Sequence, residues 1–261
     1  MKKFFRTAVA AICIMHAFTL VSCKKDVSPA NDLIAASATE AASPFCKIER
    51  YTTNAPFFGS GYAEFGYNEA GDPVRVIPRF MPDYRISHEF RYDSLHRLTD
   101  HIFGSSKGFF DAWTRYGYDP SGRIATGIQY RNGLYGTNPV GGTPVSLTIF
   151  FYDEAGRINK TISYYTRELP SVTQTYQYDD AGNLMRPGVV YDDKVHFRRT
   201  SNVWMFIDRD YSMNNPLTAA SYNQQGLPTV FSTNVPIQRF LHSLPLNYST
   251  ITYTCVGDPV N

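Results

Sequence analysis

Tyr152-Asp153-Glu154-Ala155-Gly156-Arg157-Ile158 decides the fold, because the chain says nearly the same thing five more times. The other copies are Tyr67-Asn68-Glu69-Ala70-Gly71, Tyr92-Asp93-Ser94-Leu95-His96, Tyr118-Asp119-Pro120-Ser121-Gly122, Tyr178-Asp179-Asp180-Ala181-Gly182 and Tyr222-Asn223-Gln224-Gln225-Gly226. Asp or Asn at the first turn position can accept a hydrogen bond from a backbone N–H two residues on. Gly four residues after the Tyr can take the left-handed backbone of a type I turn with a G1 bulge. Each copy therefore reads as a tight hairpin corner, built on Asp93 with His96, Asp119 with Gly122, Asp153 with Gly156 and Asp179 with Gly182. His96 stands where the other copies carry Gly, and His is among the residues that best tolerate positive φ.

The register follows from the corner. Asp should lie across from the residue after the Gly, as Asp93–Arg97, Asp119–Arg123 and Asp153–Arg157. Tyr should lie across from the next apolar residue, as Tyr92–Leu98, Tyr118–Ile124, Tyr152–Ile158 and Tyr178–Leu184. Apolar residues alternate outward on both sides, through Phe90 and Tyr92 or Ile158 and Ile162, which is strand periodicity. The Tyr positions step by 25, 26, 34, 26 and 44 residues, so a step near 25 holds two strands and one corner. Longer steps are insertions in the return loops, which leaves every corner at one end of the strands. Pro73 and Pro228, standing where the middle copies carry Leu or Ile, point to edge or capping strands.

The Tyr-Asp-x-x-Gly-Arg-Ile core resembles the YD repeat of RHS and teneurin-type proteins. It is similar, more closely, to the degenerate YD-like repeats of small bacterial lipoproteins of unknown function, over about residues 60 to 235. In the large relatives such repeats coil into a shell around a toxin. No toxin domain or self-cleavage segment is read here, so that function does not carry over. The expected architecture is an all-β antiparallel meander of YD-type hairpins, about a dozen strands in a twisted or curled sheet. Around residues 200–216 the period changes: Val203, Phe206, Ile207 and Tyr211 follow helical spacing. Ser201 or Asn202 can cap a short helix lying on the apolar face, and Asn214-Asn215-Pro216 can stop it. A buried strand through Trp204 and Phe206 is the competing reading.

Residues 1–22 read as a lipoprotein signal peptide, with Lys2, Lys3 and Arg6 before an apolar run that is short for a membrane span. Leu20-Val21-Ser22-Cys23 resembles a lipobox, which makes Cys23 the lipidated residue; an ordinary cleaved signal with an incidental Cys is the alternative. Loss of the segment's three positive charges takes the formal charge from +2 to −1, which removes the basic balance that nucleic-acid binding needs. Residues 23–44 are Ala- and Ser-rich and read as a flexible tether, and 45–261 as the repeat domain. Lys24 after the lipid site favours, by analogy, outer-membrane anchoring, with periplasmic or surface exposure left open. Of four cysteines, Cys46 and Cys255 remain as thiols, and an oxidising compartment favours one disulfide over two buried free thiols.

No Ser-His-Asp or Cys-His set, phosphate-cradling Gly loop or complete calcium loop can be assembled, so no enzyme, cofactor or metal is expected. His88, His96 and His101 lie close in sequence, but with His96 explained by its corner they read as solvated. The return loop at 131–144 is Gly/Pro-rich and exposes Leu134 and Tyr135, which could stack on a sugar ring or simply close a long turn. The functional expectation is a non-enzymatic envelope lipoprotein, a scaffold or interaction module with an unknown protein or glycan partner. The alternative is a glycan-binding accessory lipoprotein that uses return-loop aromatics.

Overall fold

The computed structural model describes residues 46–55, 59–80, 87–104, 108–166, 170–216, 219–231 and 239–256. All of them belong to the compact unit 37–261. The signal segment, Cys23 and the tether lie outside the described residues.

The chain begins as a meander of β1 (Cys46–Ala55), β2 (Gly59–Tyr67), β3 (Pro73–Arg79), β4 (Ser87–Tyr92) and β5 (Leu98–Gly104). It continues through β6 (Phe109–Tyr118), β7 (Ile124–Leu134), β8 (Thr143–Tyr152), β9 (Ile158–Tyr165) and β10 (Val172–Thr175). Then come β11 (Tyr191–Val195), a 3-10 turn (Phe197–Thr200), α1 (Asn202–Asp208) and β12 (Asn214–Pro216). Last are β13 (Ala219–Tyr222), β14 (Pro228–Phe231), β15 (Arg239–Phe240), β16 (Leu244–Pro245) and β17 (Ser249–Cys255). Thirteen strands form one open sheet, which runs from β10 back through β1 and on to β17, β14 and β13; β11–β12 and β15–β16 are separate two-stranded pairs. Tyr92 pairs with Leu98, Tyr118 with Ile124 and Tyr152 with Ile158, each strand pair with a register shift at its corner, and Tyr178 meets Leu184 in an isolated bridge.

Two strands differ from expectation. β3 and β14 are interior to the sheet, although Pro73 and Pro228 mark them for edges. Each Pro is the first residue of its strand, opposite Tyr67 or Tyr222 at a bulge, where the missing N–H removes no ladder bond.

The sheet is curled around α1. Trp204 meets Phe65 of β2 at 5.8 Å and Phe90 of β4 at 5.4 Å between ring centres. Phe206 meets Tyr116 of β6 and Phe150 of β8, each at 5.2 Å. In a flat sheet β2 and β8 would lie about 29 Å apart, yet residues two apart on a helix rise only about 3 Å. One turn of helix can touch all four strands only if the sheet wraps it. Ser201 caps the helix by accepting a hydrogen bond from Val203 N at 3.2 Å. The helix stops at Arg209, which is left-handed (φ 53°), and not at Asn214–Pro216. Its stop is set by Asp210, which is drawn into a buried ion cluster, while Asn214–Pro216 pairs with β11.

This crossing segment carries the chain from the β10 edge to the β13 edge, and β17 then returns it beside β1. Cys46 and Cys255 face each other in that last register and form a disulfide across 209 residues of sequence. The bond ties together the β1–β17 seam, where sequence-distant strands meet. Replacing both cysteines by Ser is expected to lower the unfolding free energy by roughly 2–5 kcal/mol. Urea melts of the pair variant and of reduced wild type would check this; a midpoint unmoved by reduction would remove the bond from the account.

Candidate functional site

The repeat corners form a row at one end of the strands. Asp93 accepts hydrogen bonds from Leu95 N at 2.9 Å and Arg97 N at 3.0 Å, while Arg97 Nε donates to its other oxygen at 2.8 Å. Asp119 and Asp153 hold Arg123 and Arg157 in the same way, with Nε–Oδ2 distances of 3.1 and 2.8 Å. The arginine bonds hold Asp93 below the usual carboxylate range, and the Arg123 backbone N–H does the same for Asp119. Asp179 meets Asn183 N instead, at 2.8 Å. The positive-φ residues are His96 (58°), Gly122 (79°), Gly156 (75°) and Gly182 (82°). His96 also reaches Asp72 of the preceding corner at 3.1 Å, so it links two repeats.

A second device joins corner to corner. On the return side each ladder stops two residues short of the corner: β3–β4 ends at Arg75↔Glu89, β5–β6 at Asp100↔Arg115 and β7–β8 at Thr126↔Ile149. The carbonyls left beyond it, on Pro73, Leu98 and Ile124, accept the hydroxyls of Tyr92, Tyr118 and Tyr152 at 2.6, 2.7 and 2.7 Å. Tyr67 on Ile48 and Tyr253 on Pro228 repeat the bond at 2.8 and 2.7 Å. Burial pushes the Tyr118 phenol up to about 12, which keeps it a donor at ordinary pH. Over three of the corner tyrosines lies the guanidinium of the preceding corner, Arg97 on Tyr118 at 4.5 Å, Arg123 on Tyr152 at 5.2 Å and Arg157 on Tyr178 at 4.1 Å. The sequence paired these arginines with Asp alone. The offset from each Arg to the Tyr it covers varies with the return loop between them, so no fixed spacing signalled the second contact.

Inside the curl, α1 divides the concave face into two mouths. The corner-end mouth is about 790 Å³ and is bordered by Tyr92, Tyr118, Tyr152, Val203 and Phe206. The opposite mouth, at the far end of α1, is about 300 Å³. The crossing segment also buries an ion cluster. Asp210 accepts from Ser212 N at 3.1 Å, Arg186 Nη2 at 3.0 Å and lies 3.6 Å from Arg198 Nη1, while Arg198 Nε donates to Asp208 at 2.6 Å. Burial alone would raise the Asp210 carboxyl, but the Arg198 and Arg186 guanidinium groups and the Ser212 hydrogen bond outweigh it and hold it well below the usual range. Burial lowers His196 to about 3, so it sits neutral.

His88 and His101 are not solvated. With Phe90 opposite His101, both imidazoles fall on the helix-facing side of β4 and β5. His88 Nδ1 and His101 Nε2 are 2.9 Å apart, and His88 Nε2 reaches Ser243 Oγ at 3.1 Å. Burial drives His88 well below its ordinary value, and His101 to about 3. Among the described residues no group of three or more His, Cys, Asp or Glu gathers to hold a metal ion.

The return loop at 131–144 folds back over the convex face. Arg91 donates to Gly136 O at 2.7 Å and Arg115 to Asn138 Oδ1 at 2.9 Å. Leu134 and Tyr135 are 49% and 45% exposed. The Tyr135 hydroxyl is nonetheless bonded to Glu89, and the Arg91 guanidinium lies 5.3 Å over its ring. The loop covers a small second core of Ile102, Phe110 and Trp113, away from both mouths.

Two measurements check this geometry. Tyr118→Phe strands the Leu98 carbonyl and is expected to cost about 1–3 kcal/mol in urea unfolding, whereas Tyr135→Phe, at a half-exposed hydroxyl, should cost well under that. Equal costs would remove the corner lock. His88, His101 and His196 all have folded pKa values depressed below the unfolded 6.5. The unfolded state therefore takes up the protons, and stability present above pH 6.5 is lost as pH falls from there toward the folded values near 3. Each contributes a slope of up to about 1.4 kcal/mol per pH unit. A melting temperature that stays flat between pH 7.5 and 5 would contradict the buried placement.

No family model and no curated protein matches the chain. Among solved structures, the crystal structure of TcdB2-TccC3-TEV aligns at 12% identity and TM-score 0.30, over 68% of this chain and 9% of that one. That of TcdB2-TccC3-Cdc42 aligns at 12% identity and TM-score 0.25, over 67% and 11%. A porin-like protein from Bacteroides uniformis aligns at 12% identity and TM-score 0.28, over 82% and 97%. The chain thus spans 9% and 11% of the two TcdB2-TccC3 chains.

Proposed function

We propose that this chain is a YD-repeat lipoprotein, anchored to the outer membrane through Cys23, whose curled sheet serves as a non-enzymatic interaction module. The observation that carries the reading is the distribution of apolar surface. The aromatics of the concave face are covered by the chain's own helix, through Trp204 on Phe65 and Phe90 and Phe206 on Phe150. The convex face, in contrast, leaves a cross-strand row of Ile128, Leu147 and Tyr164 exposed by 38%, 36% and 47%. An uncharged apolar row on a rigid sheet is the kind of surface that contacts another macromolecule. The corner carboxylates Asp93, Asp119 and Asp153 are engaged in their turns, which fits a structural role for them. Sugar stacking through Tyr135 has less support, since Glu89 and Arg91 already occupy its hydroxyl and ring.

Two experiments bear on this. Wild type expressed in its native envelope should incorporate labelled palmitate and sediment with membranes, and Cys23→Ala should do neither; unlabelled wild type would end the anchor reading. A photo-crosslinker at Leu147 should capture an envelope protein that the same probe at buried Trp204 does not. Absence of any Leu147 adduct would count against the interaction surface.

A further inference from the structure

The smaller mouth brings together three side chains that lie far apart in the sequence. Its rim carries the turn Leu241-His242-Ser243, which joins β15 to β16, and its wall carries His88 of β4 and His101 of β5. Ser243 Oγ lies 3.1 Å from His88 Nε2, and His88 Nδ1 lies 2.9 Å from His101 Nε2. A nucleophile, a base and a group that orients the base thus stand in hydrogen-bond sequence, although Ser243 and His88 are 155 residues apart. With Ser243 donating to Nε2, the His88 proton sits on Nδ1 and is donated to the lone pair of His101 Nε2. Burial keeps both imidazoles neutral at ordinary pH, which leaves those lone pairs available.

Each member is held in place. In the β4–β5 register His88 faces Phe103 and His101 faces Phe90, with ring centres 5.0 and 4.8 Å apart. His88 is fully buried, whereas Ser243 and His101 are half-buried on the lining of the mouth. Phe240, Leu241 and Leu244, on either side of the serine, are locked into the main core. Within the turn Leu241 and His242 are both left-handed, at φ 50° and 60°, and Ser243 N bonds back to Leu241 O at 2.7 Å. A bond from one residue to the next but one across a positive φ makes the rare, strained γ-turn, and such strain gathers at functional sites. Here it presents the serine oxygen to His88. Arg131 and Arg209 also line the mouth and no Asp or Glu does so among the described residues, so the local field favours negative charge developing on an oxygen. A volume of about 300 Å³ is at the small end of the range for small-molecule sites.

We propose that Ser243 is an activated nucleophile that accepts the acyl group of a small ester entering this mouth, with His88 as its base and His101 as the positioning residue. The bond from Oγ to the acyl carbon forms as the ester C–O bond breaks. The hydroxyl proton passes to His88 Nε2 and from there to the departing alkoxide, which leaves as an alcohol. The product is an acylated chain, so the step requires no turnover. It shares no residue with the lipid anchor or the convex row, and failure of either reading leaves the other standing.

The test incubates the purified full chain at neutral pH with para-nitrophenyl acetate and locates the acetyl group by peptide mass spectrometry. Ser243 should be modified about a hundredfold faster than any other serine. A fluorophosphonate, whose fluoride leaves with the hydroxyl proton as the Oγ–P bond forms, should mark the same oxygen in a form that water does not release. His88→Gln should slow both reactions about a hundredfold. His101→Phe should slow them about tenfold or more, and His101→Gln, which restores an acceptor near the lost Nε2, should recover most of the rate. A side chain that only filled space would be replaced as well by Phe as by Gln. If His88→Gln does not fold, as a urea melt would show, the two His101 variants decide. The proposal is overturned if neither reagent prefers Ser243, if folded His88→Gln reacts like wild type, or if His101→Phe and His101→Gln react alike.

Discussion

A backbone carbonyl that has run out of strand to pair with is the constraint behind this fold. At every corner the bulge turns the chain away before the neighbouring ladder is complete, and one acceptor is left two residues beyond its last partner. An unpaired buried acceptor is costly, so something must reach it. The next repeat supplies a phenol, as Tyr118 does for Leu98 and Tyr152 for Ile124. Because a ring now fills the space where a backbone bond would have drawn the strands together, the strands are spread at the corner end.

The curl explains the position of α1. Seven residues suffice to fill the interior because the walls come to the helix, with Trp204 and Phe206 reaching strands that a flat sheet would hold far apart. The helix ends where Asp210 must turn inward to Arg186 and Ser212, which swings the chain toward the far edge. Charge is thus balanced along the crossing segment and the corners, and is left positive at the mouth where α1 ends. The same segment lets the last strand return beside the first, where Cys46 meets Cys255.

How much of this could be read beforehand varied with the range of the interaction. The Tyr92–Leu98 register, the left-handed His96 and the helix after Ser201 are set by contacts within one hairpin or one turn, and local pattern reveals them. The burial of His88 and the half-burial of His101 were also within reach, since that register places both beside Phe90, but counting the histidines as solvated ignored which face they share. Pro73 misled because a rule about missing donors was applied to the strand and not to the single position, which needs no donor. The helix stop, the arginine–tyrosine stacking between repeats and the docking of the 131–144 loop depend on groups 20 to 50 residues away, and no local pattern carries them.

The amino-acid order alone determined the corners, the alternation that makes strands, the register within each hairpin and the one break in period that makes a helix, because each is a matter of neighbours a few residues apart. Tertiary structure decided which carbonyl each tyrosine satisfies, how tightly the sheet bends and which arginines keep a carboxylate. Those outcomes arise only when one hairpin is laid against the next, since the spacing between repeats, unlike the spacing within them, is not written in any single stretch.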